Sequence, residues 1–251
     1  MYPILFVTPW FNVYAYGTMM AIGYAVGTIV ALREASKKGL SPESVFDMLL
    51  FQMVAGLAGS RLLFLWEYIG GASITGKTFL NFEAGGLTFF GAVLASILSN
   101  LIFIRLNNLP FWKTMDCIGF ALPLGIAIAR FGCFLNGCCY GHPCLYPWGV
   151  IFPKFTLVKV HPTQVYESLA GLIIFLFLAK FRKKASHDGQ VFVLCIVLYS
   201  VFRFIIEFFR ADNPIFLLGF SLSQFLSILM VIIGVAILKR IHSDNRLAIN
   251  Q

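Results

Sequence analysis

About seven long apolar stretches, separated by short polar segments, run the length of the chain, at roughly 13–32, 47–69, 86–105, 113–130, 163–181, 190–210 and 216–238. A helix of ~20 apolar residues is long enough to cross a bilayer. The pattern predicts an all-α integral membrane protein, a bundle of about seven transmembrane helices. It leaves no room for a second, soluble domain, so residues 1–251 read as a single polytopic membrane domain. The longest stretch between spans is 131–162, and 241–251 reads as a polar tail.

Composition agrees with that reading. The chain is 59% hydrophobic and 12% charged, whereas soluble domains run near half apolar and about a quarter charged. The formal charge of +8 does not point to nucleic acid, because the basic residues gather at span ends. Arg33, Lys37 and Lys38 follow the first span, and Arg105 and Lys113 lie between the third and fourth. Lys180, Arg182, Lys183 and Lys184 follow the fifth, and Lys239, Arg240 and Arg246 follow the seventh. The opposite loops hold only Lys77, Lys154 and Lys159. The positive-inside rule makes the rich side cytoplasmic. An odd number of spans then places the N-terminus outside, the C-terminus in the cytoplasm and the 131–162 loop outside. Residues 1–32 hold no Lys or Arg. A signal peptide would carry a basic n-region, so the first apolar stretch is expected to remain as a span. The 131–162 loop is rich in Gly, Pro and aromatic residues, too apolar for a solvated linker, and is expected to pack on the bundle or in the interface.

Four arginines break the charge pattern. Arg61, Arg130, Arg203 and Arg210 lie inside or at the outer end of spans. A charge at membrane depth costs at least ~2.5–3.5 kcal/mol and usually faces a cavity or a partner. Snorkelling to the outer headgroups would serve a single arginine; four together, each with polar neighbours, suggest a cluster.

Three segments could carry chemistry. The run Arg130-Phe131-Gly132-Cys133-Phe134-Leu135-Asn136-Gly137-Cys138-Cys139-Tyr140-Gly141 closes the fourth span. Its arginine offers a planar fork suited to phosphate, Asn136 can donate and accept, and its glycines permit close approach or a helix cap. The run His161-Pro162-Thr163-Gln164-Val165-Tyr166-Glu167 enters the fifth span, with Pro162 suited to a first helical position. Gln164 and Glu167 share a face. Glu167 lies about one turn into the membrane, where a carboxylate needs a cationic or hydrogen-bonding partner, and an outer arginine is the obvious candidate. Finally, Arg203, Glu207 and Arg210 stand at i, i+4 and i+7, forming one polar stripe of net charge +1 on a Phe- and Ile-rich helix. Such a stripe must point into the bundle, either as an ion-paired lock or as an anion site in which Glu207 positions the guanidinium groups.

Lesser signals are Tyr14-Ala15-Tyr16-Gly17, Arg61 near Gly56 and Gly59, and the segment Gly85 to Gly91. Cys117 and Cys195 read as small hydrophobes within spans. Cys133, Cys138, Cys139 and Cys144 crowd the outer side, where disulfides are permitted. Disulfides, free thiols and a zinc site that includes His142 all remain open, although the spacing matches no established zinc pattern. No metal, nucleotide or other cofactor is expected.

Taken together, these segments resemble the bacterial prolipoprotein diacylglyceryl transferases. The resemblance runs from about Tyr14 to about Ile237, through Tyr16-Gly17, the Gly85–Gly91 segment, Arg130 to Gly141, His161 to Glu167 and Arg203 to Arg210, in that order. It implies a multi-pass enzyme of the cytoplasmic (inner) membrane with its active site toward the outer face. Such an enzyme moves the diacylglyceryl group of phosphatidylglycerol to the lipobox cysteine thiol of a preprolipoprotein, forming a thioether and releasing glycerol phosphate. The implied partners are the lipid, lipobox peptides and the bilayer, with no nucleic acid. By motif position the resemblance makes Arg130, Arg203 and Tyr16 catalytic. Asn136, Gly141, Arg210, Glu207, His161, Glu167 and Arg61 become substrate-binding.

Three positions depart from the family pattern. Phe90 stands where a His is usual, Cys133 where an Asn is usual and Cys138 where a Glu follows Asn-Gly. The missing His and Glu are candidates for proton handling, and a Phe ring accepts no proton. His161 or Tyr16 could substitute, the thiol could ionise in the field of the arginines, or the chain's own Cys133 or Cys138 could supply a thiol. A relative with a different nucleophile or a thiol-redox role, and an anionic lipid or solute transporter, are the competing readings. The absence of paired broken helices counts against a transporter.

Overall fold

In the computed structural model of the protein, the described residues are 3–7, 12–69, 88–212, 214–217 and 219–249, the side chains of 68, 69, 215 and 242–249 excepted. Lys77, Gly85, Gly86 and Leu87, noted above, lie outside them. Among the described residues the elements are β1 (Ile4–Val7), β2 (Asn12–Tyr14), α1 (Ala15–Lys37), α2 (Pro42–Ile69), α3 (Phe89–Leu106), α4 (Phe111–Asn136), α5 (Thr163–Phe181), α6 (Gln190–Glu207), β3 (Ile215–Leu217), β4 (Phe220–Ser221) and α7 (Leu222–Ile249). Each of the seven helices is long and apolar enough to span a membrane. The protein is an all-α, multi-pass membrane protein whose strands form two short antiparallel hairpins.

Several boundaries differ from the sequence reading. The fourth span does not stop at 130; α4 runs on to Asn136, so the connection to α5 begins at Gly137. Phe131, Cys133, Phe134 and Leu135 continue its apolar character, and no proline interrupts them. Gly137, at φ +80°, ends it. The N–H groups of Gly137 and Cys138 both return to the Cys133 carbonyl, at 2.9 and 3.2 Å, the bonding of a helix closed by a left-handed glycine. The seventh span was expected from 216, but Phe216 and Leu217 lie in β3 and Phe220 and Ser221 in β4, which pair antiparallel, with Gly219 at φ +81°. The helix that follows continues to Ile249, through most of the expected tail. Pro162 sits one residue before the first helical position, which is Thr163.

The chain forms two compact units, residues 1–31 with 115–251, and residues 32–114. In the smaller unit, α2 and α3 approach through small residues. A Cβ on Gly91 would lie 2.4 Å from the Gly59 carbonyl oxygen, and Thr88 donates through Oγ1 to the Ser60 carbonyl at 3.1 Å. Arg61 is buried here at 1% exposure, its guanidinium 5.4 Å from the Phe64 ring. Small residues are the usual means of close helix approach in lipid, where no hydrophobic force draws helices together.

In the larger unit a core of Phe120, Ile174, Leu178, Val191 and Cys195 joins α4, α5 and α6. Gly23 of α1 meets Gly125 of α4, where a Cβ would stand 2.7 Å from the Gly125 carbonyl oxygen. Asp116, fully buried, accepts from the N–H of Gly189 through one oxygen and of Phe192 through the other, both at 2.9 Å. It thereby satisfies donors at the start of α6 that the helix itself leaves without acceptors. The Arg182 guanidinium lies 4.1 Å from the Phe120 ring nearby. Side chains left exposed on the spans are chiefly Leu, Ile, Val, Phe and Met, the surface a lipid solvent requires.

Asp116→Ala should lower thermal stability in detergent, because two buried donors lose their acceptor at about 1–3 kcal/mol each. Asp47→Ala, at an exposed position on α2, should shift stability by no more than about 0.5 kcal/mol. Thermal unfolding of the two purified variants makes the comparison.

Candidate functional site

One carboxylate organises the site. Glu167 lies one turn into α5, between neighbours buried by the bundle, and is itself buried. Its Oε1 accepts from Arg203 Nη1 at 3.1 Å and from Arg210 Nη1 at 2.7 Å. Its Oε2 lies 2.6 Å from Arg130 Nε, in ionic contact but out of line for a hydrogen bond. The partner expected for Glu167 is therefore not one arginine but three, from α4, α6 and the segment after α6.

Helix geometry explains how two of them arrive. Arg130 sits well inside α4 because the helix extends to Asn136. Arg203 stands on α6, one turn before Glu207, and its Nη2 pairs with Glu207 Oε2 at 2.9 Å. The other Glu207 oxygen accepts from Ser221 Oγ at 2.6 Å, fixing that carboxylate from β4. Arg210 arrives differently. It was expected on the same helical stripe, but α6 ends at Glu207, and Arg210 instead pairs its backbone with Gly141 in an isolated antiparallel bridge. The strand-like contact continues as His142 N–H donates to the Phe209 carbonyl at 2.9 Å. Gly141 is required for that approach, since a Cβ there would stand 2.1 Å from the Phe209 carbonyl oxygen and 2.9 Å from both His161 Cβ and Thr163 Cγ2. Its visible role is to dock the Arg210 segment.

Charge and exposure divide the three guanidiniums. Arg210 is nearly buried, bonded to Asp212 through Nε at 2.9 Å as well as to Glu167. Burial pulls its ionisation down, but the Asp212 hydrogen bond and the Glu167 charge outweigh it and hold the group more firmly charged than usual. Arg130 and Arg203 keep 22% and 17% of their side chains exposed, against 6% for Arg210. They form the reachable edge of the cluster. Among the buried groups, three guanidiniums face Glu167 and Glu207, leaving one positive charge; Asp212, at the exposed rim, brings the formal sum to zero. The net +1 expected from the helical stripe thus belongs to the buried cluster only. A planar, partly desolvated pair of guanidiniums suits a phosphate that would add charge-assisted hydrogen bonds.

The cysteines form the second part. None of the six is in a disulfide. The Sγ atoms of Cys133, Cys138 and Cys139 lie within 4.8 Å of one another. Cys144, buried with its N–H on the Lys159 carbonyl, and His142 stand outside that trio. Hydrogen bonds from the Cys133 and Cys139 thiols, and then from Asn136, hold Cys138 below the ordinary thiol range. Tyr16, half exposed at the start of α1, lies within electrostatic reach of all three thiols and of Arg130. The α1–α4 approach at Gly132 puts it there, since a Cβ on Gly132 would lie 3.4 Å from Tyr16 Cα and 2.7 Å from Met19 Cβ.

Tyr16, Arg130, Asn136, Cys133, Cys138, Glu167, Arg203, Glu207 and Arg210 thus belong to one neighbourhood of the larger unit. His161 contributes differently. Its carbonyl accepts from Gly141 N–H at 2.9 Å, and its ring meets Tyr166 Oη through Nδ1 at 3.1 Å and packs edge-on against Phe209. Arg61 and Phe90 belong to the smaller unit. Sequence reasoning missed Ser221 and Tyr199, which lies within electrostatic reach of Arg130, gave Asp212 no role, and named Cys139 only within the cysteine cluster. Asp212 stands two residues beyond Arg210 and Cys139 beside Cys138; Ser221 and Tyr199 carried no signal.

Glu167→Gln should strongly destabilise the solubilised protein. Removing one partner from a buried ion cluster costs about 3–5 kcal/mol. Gly141→Ala should also lower the melting temperature, whereas Gly17→Ala, with nothing within 4 Å of a Cβ, should not. Melting curves of the three variants in one detergent test this.

Comparison with known proteins bears on the same segments. The family profile described as prolipoprotein diacylglyceryl transferase matches residues 3–240. A phosphatidylglycerol–prolipoprotein diacylglyceryl transferase of Clostridium tetani is 31% identical over 239 residues, covering 94% of this chain and 96% of its own. That of Clostridioides difficile is 37% identical over 224 residues, covering 88% and 87%. That of Geobacter sulfurreducens is 34% identical over 227 residues, covering 87% of each. With the arginine cluster in place on the matched spans, the chain belongs to the prolipoprotein diacylglyceryl transferase family.

Proposed function

We infer that the protein transfers the diacylglyceryl group of phosphatidylglycerol to the lipobox cysteine thiol of preprolipoproteins. The reaction forms a carbon–sulfur bond at the glyceryl carbon that carries the phosphate. The carbon–oxygen bond at that carbon breaks, and glycerol phosphate leaves with the electron pair. The thiol must lose its proton, because the thiolate is the nucleophile.

The observation that carries this reading is the sharing of Glu167 among Arg130, Arg203 and Arg210, with Arg130 and Arg203 still reachable. A leaving phosphate gains charge at the moment of bond breaking. Preorganised donors in a water-poor site stabilise such charge without having to reorient. Arg130 and Arg203 take the phosphate oxygens in this scheme. Glu167, Arg210 and Glu207 hold the two forks in place, and Tyr16 and Asn136 flank the reacting thiol. Gly141 and His161 brace the segment that delivers Arg210.

Family membership supports phosphatidylglycerol and a prolipoprotein as substrates. The distribution of Lys and Arg supports an outside N-terminus, a cytoplasmic C-terminus and a site at the outer face of the bacterial inner membrane. A lipobox cysteine translocated across that membrane would meet the site on the side where it emerges.

The test is a transfer assay with purified protein, phosphatidylglycerol in detergent and a lipobox peptide. The expected product is the peptide carrying a diacylglyceryl mass on its cysteine. Arg130→Ala and Arg203→Ala should each lower kcat by about 10²–10³-fold, the cost of removing one charge-stabilising donor, while inserting and folding. A loss of folding instead of turnover would assign the arginines to a structural lock. No product from folded protein, beside an active relative, would overturn the reading.

A further inference from the structure

We propose that Cys133, Cys138 and Cys139 form a three-thiolate zinc site whose open fourth position takes the acceptor thiol of the transfer reaction. The inference rests on the transferase reading above and assigns that reaction a thiol-activating group.

The three Sγ atoms lie within 4.8 Å of one another. Around zinc at about 2.3 Å, sulfurs stand about 3.8–4.0 Å apart, so closing the trio takes no more than about an ångström per pair. The backbone holds it ready. α4 delivers Cys133 in its last turn, and Gly137 at φ +80° reverses the chain. Cys139 is itself at φ +62°, a left-handed conformation that a non-glycine residue adopts only under strain. Two buried side chains pin the reversed segment. Gln164 Nε2 donates to the Cys138 carbonyl and Thr163 Oγ1 to the Cys139 carbonyl, each at 2.6 Å. The strained turn is therefore fixed from α5, independently of any ion.

Three soft thiolates select a thiophilic, redox-inert ion such as zinc over harder cations. Three protein ligands with one position left open are the arrangement of catalytic rather than structural zinc. Cys138 and Cys139 are partly exposed, so the open side can be reached, while Cys133 closes the buried side. Arg130 lies within electrostatic reach of Cys133 and offsets the net negative charge of three thiolates on a divalent ion.

The chemistry balances without an oxidant or a protein base. The acceptor thiol binds zinc as thiolate and releases its proton to water. That sulfur attacks the glyceryl carbon, the carbon–oxygen bond breaks, and glycerol phosphate leaves on Arg130 and Arg203. The product thioether is a neutral, weak ligand and departs.

The experiment uses full-length protein in detergent, stripped with chelator under a phosphine reductant and then titrated with zinc, or with cobalt as a spectroscopic probe. The wild type should take one equivalent per chain, show thiolate-to-cobalt charge transfer and give three sulfur neighbours by zinc X-ray absorption. Cys138→Ser and Cys139→Ser should each weaken binding by about 100-fold or more, since even residues that merely orient a ligand are worth about 10–100-fold; Cys117→Ser should not. Because the absorption measurement needs only wild type, a misfolded variant does not decide the outcome. Absence of binding, fewer than three sulfurs, or a disulfide within the trio would overturn the site. In the transfer assay, stripped enzyme should be inactive and zinc should restore it. Undiminished transfer by zinc-free enzyme would overturn the catalytic role while leaving the transferase reading intact. Stoichiometric zinc on three sulfurs with no transfer would leave the site standing and overturn the transferase reading.

Discussion

A single carboxylate inside the membrane, Glu167, is the constraint on which the rest of the site depends. Three guanidiniums at bilayer depth would each carry an insertion cost of at least ~2.5–3.5 kcal/mol, and without a counter-charge they would repel one another. Glu167 meets all three at 2.6–3.1 Å. It cannot neutralise three charges alone, and the structure does not ask it to. Glu207 takes a share of Arg203, and Asp212 a share of Arg210. Among the buried groups, Glu167 and Glu207 leave one positive charge, which Asp212 answers only from the exposed rim, and the reachable face of the cluster is Arg130 and Arg203. A structural lock has no need of an exposed face or an unbalanced interior, whereas a site for an anionic leaving group needs both.

Delivering Arg210 to Glu167 dictates much of the local chain path. Helix α6 stops at Glu207 and residues 208–210 close it in tight turns, so the carbonyls and N–H groups beyond the helix need partners of their own, as irregular backbone in a membrane protein does. The 137–162 connection supplies them. Gly141 and His142 pair with the Phe209–Arg210 segment, and Gly141 in turn bonds the His161 carbonyl just before α5 begins. The same connection begins by turning Cys138 and Cys139 back toward Cys133. The loop thus builds both halves of the site. That explains why it is apolar and glycine-rich, and why three motifs separated by dozens of residues depend on one another.

What the sequence disclosed follows from the range of each interaction. Spans are local, continuous properties, and hydropathy places all seven described helices to within a few residues at most ends. The requirement that Glu167 find an arginine is also local, because it comes from desolvating one carboxylate. Its sharing among three was not legible, since the partners lie 36, 37 and 43 positions away. The i, i+4, i+7 spacing of Arg203, Glu207 and Arg210 suggested a continuous helix; nothing in that spacing reveals that the helix ends at the second member. The end of α4 was set too early because Arg130 and Gly132 looked like a terminus, while the stop is the left-handed Gly137. Ser221 was invisible for another reason. It lies on a hairpin where apolar composition alone predicted a span.

The two chemical demands of a thioether-forming transfer call for different groups. A leaving phosphate wants fixed donors that carry positive charge, and a thiol nucleophile wants its proton gone with its sulfur still free to attack. The larger unit separates the two by residue type rather than by distance. Guanidiniums, tied down by carboxylates, serve the anion, and sulfurs, tied down by a strained turn and two α5 side chains, gather beside them. Gln164 and Thr163 stand on the helix that carries Glu167, and both brace the turn that carries Cys138 and Cys139. One helix terminus therefore fixes the geometry of both groups, and a displacement of α5 would disturb the arginines and the thiols together. That shared footing is the physical reason to regard them as one site.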